Sequence, residues 1–183
     1  MRNTIPLIVV AVLAVYSPAG EVWADGQRCL NDLERNVALD HPKVLSMTAE
    51  QFEARLAERE QVVVFDVREK AEFDTSRLPG AIRVEPHLSA AAFMKLHGDA
   101  VAGKTVLLYC SVGVRSSRLA ERIDGAVRGA GGRGAYNLRG GVFSWHNTGR
   151  KLENVTGGTD LVHGYNRPWS RYIDFDNLTR LAK

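Results

Sequence analysis

The chain is poor in the features that mark several broad protein classes. Two cysteines in 183 residues, Cys29 and Cys110, are too few for a disulfide scaffold. The five histidines (His41, His87, His97, His146 and His163) include no pair at zinc-binding spacing, so no metal site is expected. No internal repeat or low-complexity segment breaks the pattern of one ordinary domain. Neither sign of charge dominates: 24 Lys and Arg against 21 Asp and Glu leave a formal +3. These charges are interspersed, which describes a solvated surface and argues against a nucleic-acid footprint. The apolar run Ile5 to Val15 is shorter than the roughly 20 residues a membrane-spanning helix needs.

That run does have a reading of its own. Arg2 precedes it, Pro6 interrupts it early, and Val22-Trp23-Ala24 follows with small residues at the two positions that set a cleavage site. Residues 1–24 therefore read as a secretory signal peptide, which places the mature protein in the periplasm or outside the cell, without stable membrane insertion. Its removal takes away Arg2 and Glu21 and leaves the net charge unchanged. What remains is enough for one domain with a full core and too little for two. Residues 25–43 form an N-terminal extension in which Leu30, Leu33 and Val37 have the spacing of a short amphipathic helix.

The most informative stretch begins at Val106-Leu107-Leu108-Tyr109, a strand apolar on both faces. Cys110 ends it. Leu119, Ile123 and Val127 then recur at four-residue steps, the stripe of a helix packed on a sheet. The intervening loop thus sits at a helix N-terminus, where unpaired N–H groups and the helix dipole favour an anion. A cysteine there loses its proton more easily. Gly113 can adopt the positive φ that curls successive N–H groups inward. Arg115 adds a permanent charge and a planar fork of donors. Together these residues describe a nucleophile in an anion cradle.

At this point the chain resembles the rhodanese-like sulfurtransferases. Cys110-Ser111-Val112-Gly113-Val114-Arg115 matches the six-residue active loop of that family in length and glycine position. Asp66-Val67-Arg68-Glu69 with Glu72-Phe73, then Leu78-Pro79-Gly80-Ala81, resembles the family's first signature, and Tyr136 to Trp145 resembles its last. Arg77 departs from the pattern, standing close to where such domains often carry a histidine. The resemblance covers residues 44–153. It implies an α/β doubly wound domain, with a central parallel sheet of about five strands flanked by helices, and a C-terminal extension over residues 154–183.

The remaining elements follow from local signals. Thr48 and Gln51 make a capping box with Met47 and Phe52 as its hydrophobic staple, so a helix starts at Ala49, buries Phe52 and Leu56, and ends near Glu60. Val62 to Phe65 is a second buried strand, with Asp66 capping or pairing locally and Arg68 bracing the loop beyond it. Ala81 to Val84 is a short strand, Ser89 caps a helix ending near His97, and Ala135 to Leu138 is the last strand. The glycine-rich run Arg128 to Gly134 lacks the Lys-Ser/Thr ending of a phosphate loop. In the extension, Pro168 opens a helix whose Trp169, Tyr172 and Ile173 share a face and dock on the domain. A sharper reading has His163, Tyr165 and Trp169 covering the cysteine loop.

The resemblance implies a sulfurtransferase that needs no cofactor. The Cys110 thiolate attacks the outer sulfur of a small sulfur-containing anion such as thiosulfate and carries it as a persulfide. Backbone N–H groups of Ser111, Val112, Gly113, Val114 and Ser116 stabilise the charge, and Arg115 steers the donor. Cyanide, a thiol or a partner protein accepts the sulfur. Phosphatases of related architecture use five residues between cysteine and arginine; here there are four, Ser111 to Val114, which favours sulfur. A non-enzymatic sulfur- or partner-binding module, or a thiol redox protein pairing Cys29 with Cys110, stays open as an alternative. The sulfurtransferase chemistry itself requires Cys110 to be free.

Overall fold

The structure, a computed structural model, describes residues 19–174 and 179–180. The chain runs α1 (Ala19–Asp40), β1 (Leu45–Met47), α2 (Ala49–Ala57), β2 (Val62–Asp66), α3 (Lys70–Thr75), β3 (Ile82–Arg83), α4 (Ala90–Val101), β4 (Thr105–Tyr109), α5 (Val114–Gly129), β5 (Ala135–Leu138) and α6 (Gly141–Asn147). Beyond these lie β6 (Leu152–Asn154), β7 (Gly157–Thr159), β8 (Val162–His163), α7 (Arg167–Ser170) and β9 (Thr179–Arg180). Residues 1–18 of the expected signal peptide lie outside the described residues, and α1 begins ahead of the expected cleavage point at Ala24.

β1 to β5 form one parallel sheet in the order β1-β5-β4-β2-β3, so the sheet is the five-stranded α/β arrangement expected. β4 lies at its centre, and all five of its residues are buried. Side chains alternate across the sheet with period two. Val64, Leu107 and Tyr109 enter a core with Leu30 of α1, Phe52 of α2 and Phe143 of α6. Val63, Phe65, Val106 and Leu108 enter the opposite core with Phe93 of α4 and with Leu119, Ile123 and Val127 of α5. Each fully buried side chain of this size contributes about 1.5–3 kcal/mol, so β4 anchors both layers.

This topology decides where a ligand can sit. The chain leaves β2 toward β3 at one edge and leaves β4 toward β5 in the opposite direction. The crevice beyond the carboxyl ends of β2 and β4 is therefore the switch point of the sheet. Asp66 and Arg68 emerge there from β2, and Cys110 from β4.

Local signals place most helix starts. Thr48 Oγ1 accepts from Gln51 N–H while the Gln51 side chain accepts from Thr48 N–H, closing the capping box. Ser89 caps α4 by accepting from Ala92 N–H at 3.1 Å. Three expectations need correction. α2 ends at Ala57 rather than Glu60, and Leu56 is 47% exposed, because Phe52 alone points its ring at Trp145 in the core. α4 runs on to Val101, whose burial extends the helix past His97 and Gly98. The helix expected from Pro168 through Ile173 is the single turn α7, after which Tyr172 and Ile173 pack into the core without helical continuation. The β6–β7 hairpin, the β8–β9 pair and β1, none longer than three residues, lack the apolar run and flanking turn that mark the other strands in the sequence.

Candidate active site

Cys110 is the first residue past β4 and only 1% exposed. Gly113 holds φ +100 and serves as the N-cap of α5, so the loop turns back and the Gly113 N–H donates to Cys110 Sγ at 3.2 Å. That conformation is closed to ordinary L-residues. Space is tight as well, since a Cβ on Gly113 would lie 3.1 Å from Asn137 Nδ2. Asn137 in turn accepts from the Ser116 hydroxyl at 2.7 Å, tying the first turn of α5 to β5. From the other side, the N-terminus of α6 grips the loop: Val142 N–H donates to the Cys110 carbonyl at 2.9 Å and Phe143 N–H to the Ser111 carbonyl at 3.1 Å. A Cβ on Gly141 would stand 2.3 Å from the Cys110 carbonyl oxygen, so that approach requires glycine.

Burial on its own pushes the Cys110 thiol up. The positive charge of Arg115 and the N–H groups of Ser116 and Val112 outweigh it, and the thiol settles below its ordinary value. The loop backbone and one guanidinium thus favour the ionised form of a thiol that the fold keeps buried.

Arg115 is not a free cation. Its Nη1 and Nη2 each donate to Glu72 at 2.8 Å, and Nη2 also donates to Ser111 Oγ at 2.9 Å. Ser111 Oγ donates to Glu72 at 2.8 Å. Burial pushes the Glu72 carboxyl up, but hydrogen bonding and charge from Arg115, with lesser help from Arg68, bring it below the usual carboxylate range. Much of the charge that would steer an anion is thus already answered by a carboxylate. Glu72 stands in the motif that begins at Asp66, but its sequence context shows only an acidic residue on a short helix. Its partner is 43 residues away, so pairing needs the fold.

Below the loop, Asp66 and Arg68 pair with no exposure of either side chain. Arg68 Nε and Nη2 donate to Asp66, Nη2 also donates to the Ser76 carbonyl at 2.6 Å, and Tyr109 Oη donates to Asp66 Oδ2 at 2.6 Å. Local pairing by Asp66 and a bracing Arg68 match the expectation. Tyr109 as the third member does not show in sequence, where it reads as an aromatic strand residue.

The C-terminal segment lines the mouth of the site. The Tyr165 ring lies under the Arg115 guanidinium, 5.0 Å from it, and Trp169 lines the same cavity as Cys110, Val112 and Val114. His163 stands back from the cavity, its Nδ1 accepting from Tyr165 N–H at 3.0 Å. Cys29 is exposed on α1 and Cys110 buried, and both are free thiols; no Cys29–Cys110 bridge is formed. Among the described residues no cluster of three or more His, Cys, Asp or Glu side chains is placed to hold a metal ion.

Comparison with known proteins agrees with this geometry. The family described as Rhodanese-like domain matches residues 48–148. A protein named sulfurtransferase from Allochromatium vinosum is 29% identical over 102 residues, covering 56% of this chain and 88% of its own length. The uncharacterized protein YqhL of Bacillus subtilis is 29% identical over 145 residues, covering 79% of this chain and 94% of its own. Among solved structures, a thiosulfate sulfurtransferase from Pseudomonas aeruginosa superposes with a TM-score of 0.51 at 24% identity. That match takes in 74% of this chain but only 23% of the larger protein, and it speaks to the fold.

Proposed function

The chain belongs to the rhodanese-like domain family, and on that premise we propose that it is a sulfurtransferase moving sulfane sulfur through a persulfide on Cys110. The supporting observation is the position of that thiol: buried at the switch point of the sheet, held by Gly113 N–H, and kept below its ordinary pKa by Arg115.

The Cys110 thiolate attacks the outer sulfur of a donor such as thiosulfate. The Sγ–S bond forms as the donor S–S bond breaks, and sulfite departs with the bonding pair. The persulfide carries the negative charge that the thiolate held, so the same donors serve both states: the N–H groups of Val112, Gly113 and Ser116 aim at the sulfur, with Ser111 and Val114 completing the turn. Arg115, bridged to Glu72 and Ser111, fixes the loop and contributes its field. A thiol, cyanide or a partner protein then takes the outer sulfur and restores the thiolate. No step calls for a cofactor. The leader-like residues 1–24 support a periplasmic or secreted location as part of the same reading.

Intact mass after incubation with thiosulfate tests the proposal. A gain of one sulfur atom, absent in Cys110→Ser and discharged by cyanide as thiocyanate, is the expected outcome. No gain in protein with a free Cys110 thiol counts against thiosulfate as donor.

A further inference from the structure

The cavity in front of Cys110 is small and mostly apolar. It measures about 150 Å³, and Val112, Val114, Tyr165 and Trp169 form its walls, with Ser111 beside the thiol. Among the described residues Arg115 is the only cationic one lining it, and both its terminal nitrogens are engaged by Glu72 and Ser111. A bare inorganic dianion entering here meets a guanidinium already paired with a carboxylate, while its own hydration is stripped by aromatic and aliphatic walls. An apolar cavity of about this size accommodates a ring as large as benzene.

The aromatic walls are set in place before any ligand arrives. Tyr165 holds φ +63, unusual for a residue with a side chain. Its N–H donates to His163 Nδ1 at 3.0 Å, and the next N–H, of Asn166, donates to the Gly164 carbonyl at 2.8 Å. Trp169 packs on Tyr172 with ring centres 5.8 Å apart, and Tyr172 is buried in the core. Asn166 caps the turn that carries Trp169 by accepting its N–H at 3.2 Å. The Tyr165 backbone is thereby set with its ring 5.0 Å from the Arg115 guanidinium, 39% of the residue staying exposed, and the Trp169 ring rests on Tyr172.

Resting on the sulfurtransferase reading, we propose that Tyr165 and Trp169 are specificity-determining residues, which make the Cys110 cavity select an organic sulfane-sulfur donor carrying a small apolar or aryl group over inorganic thiosulfate. With a thiosulfonate, R–SO2–S⁻, the Cys110 thiolate attacks the terminal sulfur, the Sγ–S bond forms, and the donor S–S bond breaks with its electron pair leaving on the sulfinate R–SO2⁻. One thiolate and one thiosulfonate become one persulfide anion and one sulfinate, with no outside oxidant or reductant. The group R lies between Tyr165 and Trp169, and its single negative charge makes less demand on Arg115 than a dianion does.

The test compares rates of sulfur loading by intact mass, with benzenethiosulfonate and thiosulfate at equal concentration, in the full chain and in Tyr165→Asn and Trp169→Leu. Asparagine tolerates the positive φ at position 165, so the first variant removes the ring without straining the backbone. The unaltered protein is expected to load faster from benzenethiosulfonate. Each variant is expected to lower the ratio of the two rates about tenfold, the scale of one lost aromatic contact with its buried area. A preference for thiosulfate, or a ratio that neither variant changes, overturns the selectivity proposal while leaving the sulfurtransferase reading standing. Loading from neither donor, with Cys110 titrating as a free thiol, overturns that reading and the proposal with it.

Discussion

Arg115 and Glu72 meet through two parallel hydrogen bonds of 2.8 Å, one from each terminal guanidinium nitrogen. The pair joins the first turn of α5 to α3, and Ser111 of the cysteine loop bridges it. One guanidinium therefore has two duties: it lowers the Cys110 thiol through space and locks the loop through Glu72.

Replacing Arg115 separates these duties. In Arg115→Met the field at Sγ is lost, and the midpoint of the pH profile for Cys110 alkylation by iodoacetamide is expected to rise. Arg115→Lys keeps the charge but loses the planar fork, and its midpoint is expected to fall between the two. An unchanged midpoint in Arg115→Met assigns the lowered thiol to the backbone donors alone.

Acid should weaken the fold in two windows. His163 and His146 are held below 6.5 by burial, so the unfolded chain binds their protons first and stability declines as pH falls below 6.5. Glu72 lies below its reference 4.5, so its contribution is present above that value and is lost as pH falls through the lower folded value. Glu72→Gln is expected to shrink the lower window, which Glu50 and Glu60 share, and to cost about 3 kcal/mol at neutral pH, since Arg115 is left partly buried without its partner. Urea unfolding between pH 3 and pH 8 reads both effects, and a flat profile contradicts them.

Tyr109 fills two roles at one oxygen, donating to Asp66 at 2.6 Å and accepting from Leu78 N–H at 3.1 Å. Tyr109→Phe keeps the ring and leaves both partners short of a bond, so a loss of about 1–3 kcal/mol is expected in denaturant unfolding. Asp66→Asn strands the fully buried Arg68 and is expected to cost more, about 3–5 kcal/mol. The reverse order removes the claim that the ion pair dominates this cluster.

Two glycines with similar backbone separate strain from crowding. Gly149 has φ +72 and open space where a Cβ would lie, whereas Gly141 has φ +56 and the Cys110 carbonyl oxygen 2.3 Å from that position. Gly149→Ala is expected to cost about 1 kcal/mol and leave sulfur loading intact. Gly141→Ala is expected to displace the cysteine loop and slow loading at least tenfold, about 1.4 kcal/mol in the barrier. Equal loading by both variants removes the claim that α6 positions Cys110.

Much of the framework follows from signals confined to a few neighbouring residues. The Thr48–Gln51 capping box, the Ser89 cap, the stripe of Leu119, Ile123 and Val127, and the apolar runs of β2 and β4 each complete their pattern within one element. The cysteine loop is legible for the same reason: strand, glycine and helix start are contiguous in the chain. Leu56 shows the limit. Its spacing from Phe52 fits a buried stripe, yet the core reaches only one turn of α2.

By itself the sequence determined the five-stranded α/β class, the place of Cys110 at a strand-to-helix turn, and the presence of Arg115 one helical step beyond it. Only the tertiary structure decided that Glu72 answers Arg115, that Tyr109 completes the Asp66–Arg68 pair, and that Tyr165 and Trp169 wall the cavity. The physical reason is range. Caps, turns and amphipathic stripes are set by backbone hydrogen bonds and apolar spacing over a few residues, whereas the partner of a buried charge is whichever group the packed layers bring within about 3 Å. Glu72 and Arg115 are 43 residues apart in the chain and touch because the sheet places α3 and the start of α5 at the same edge.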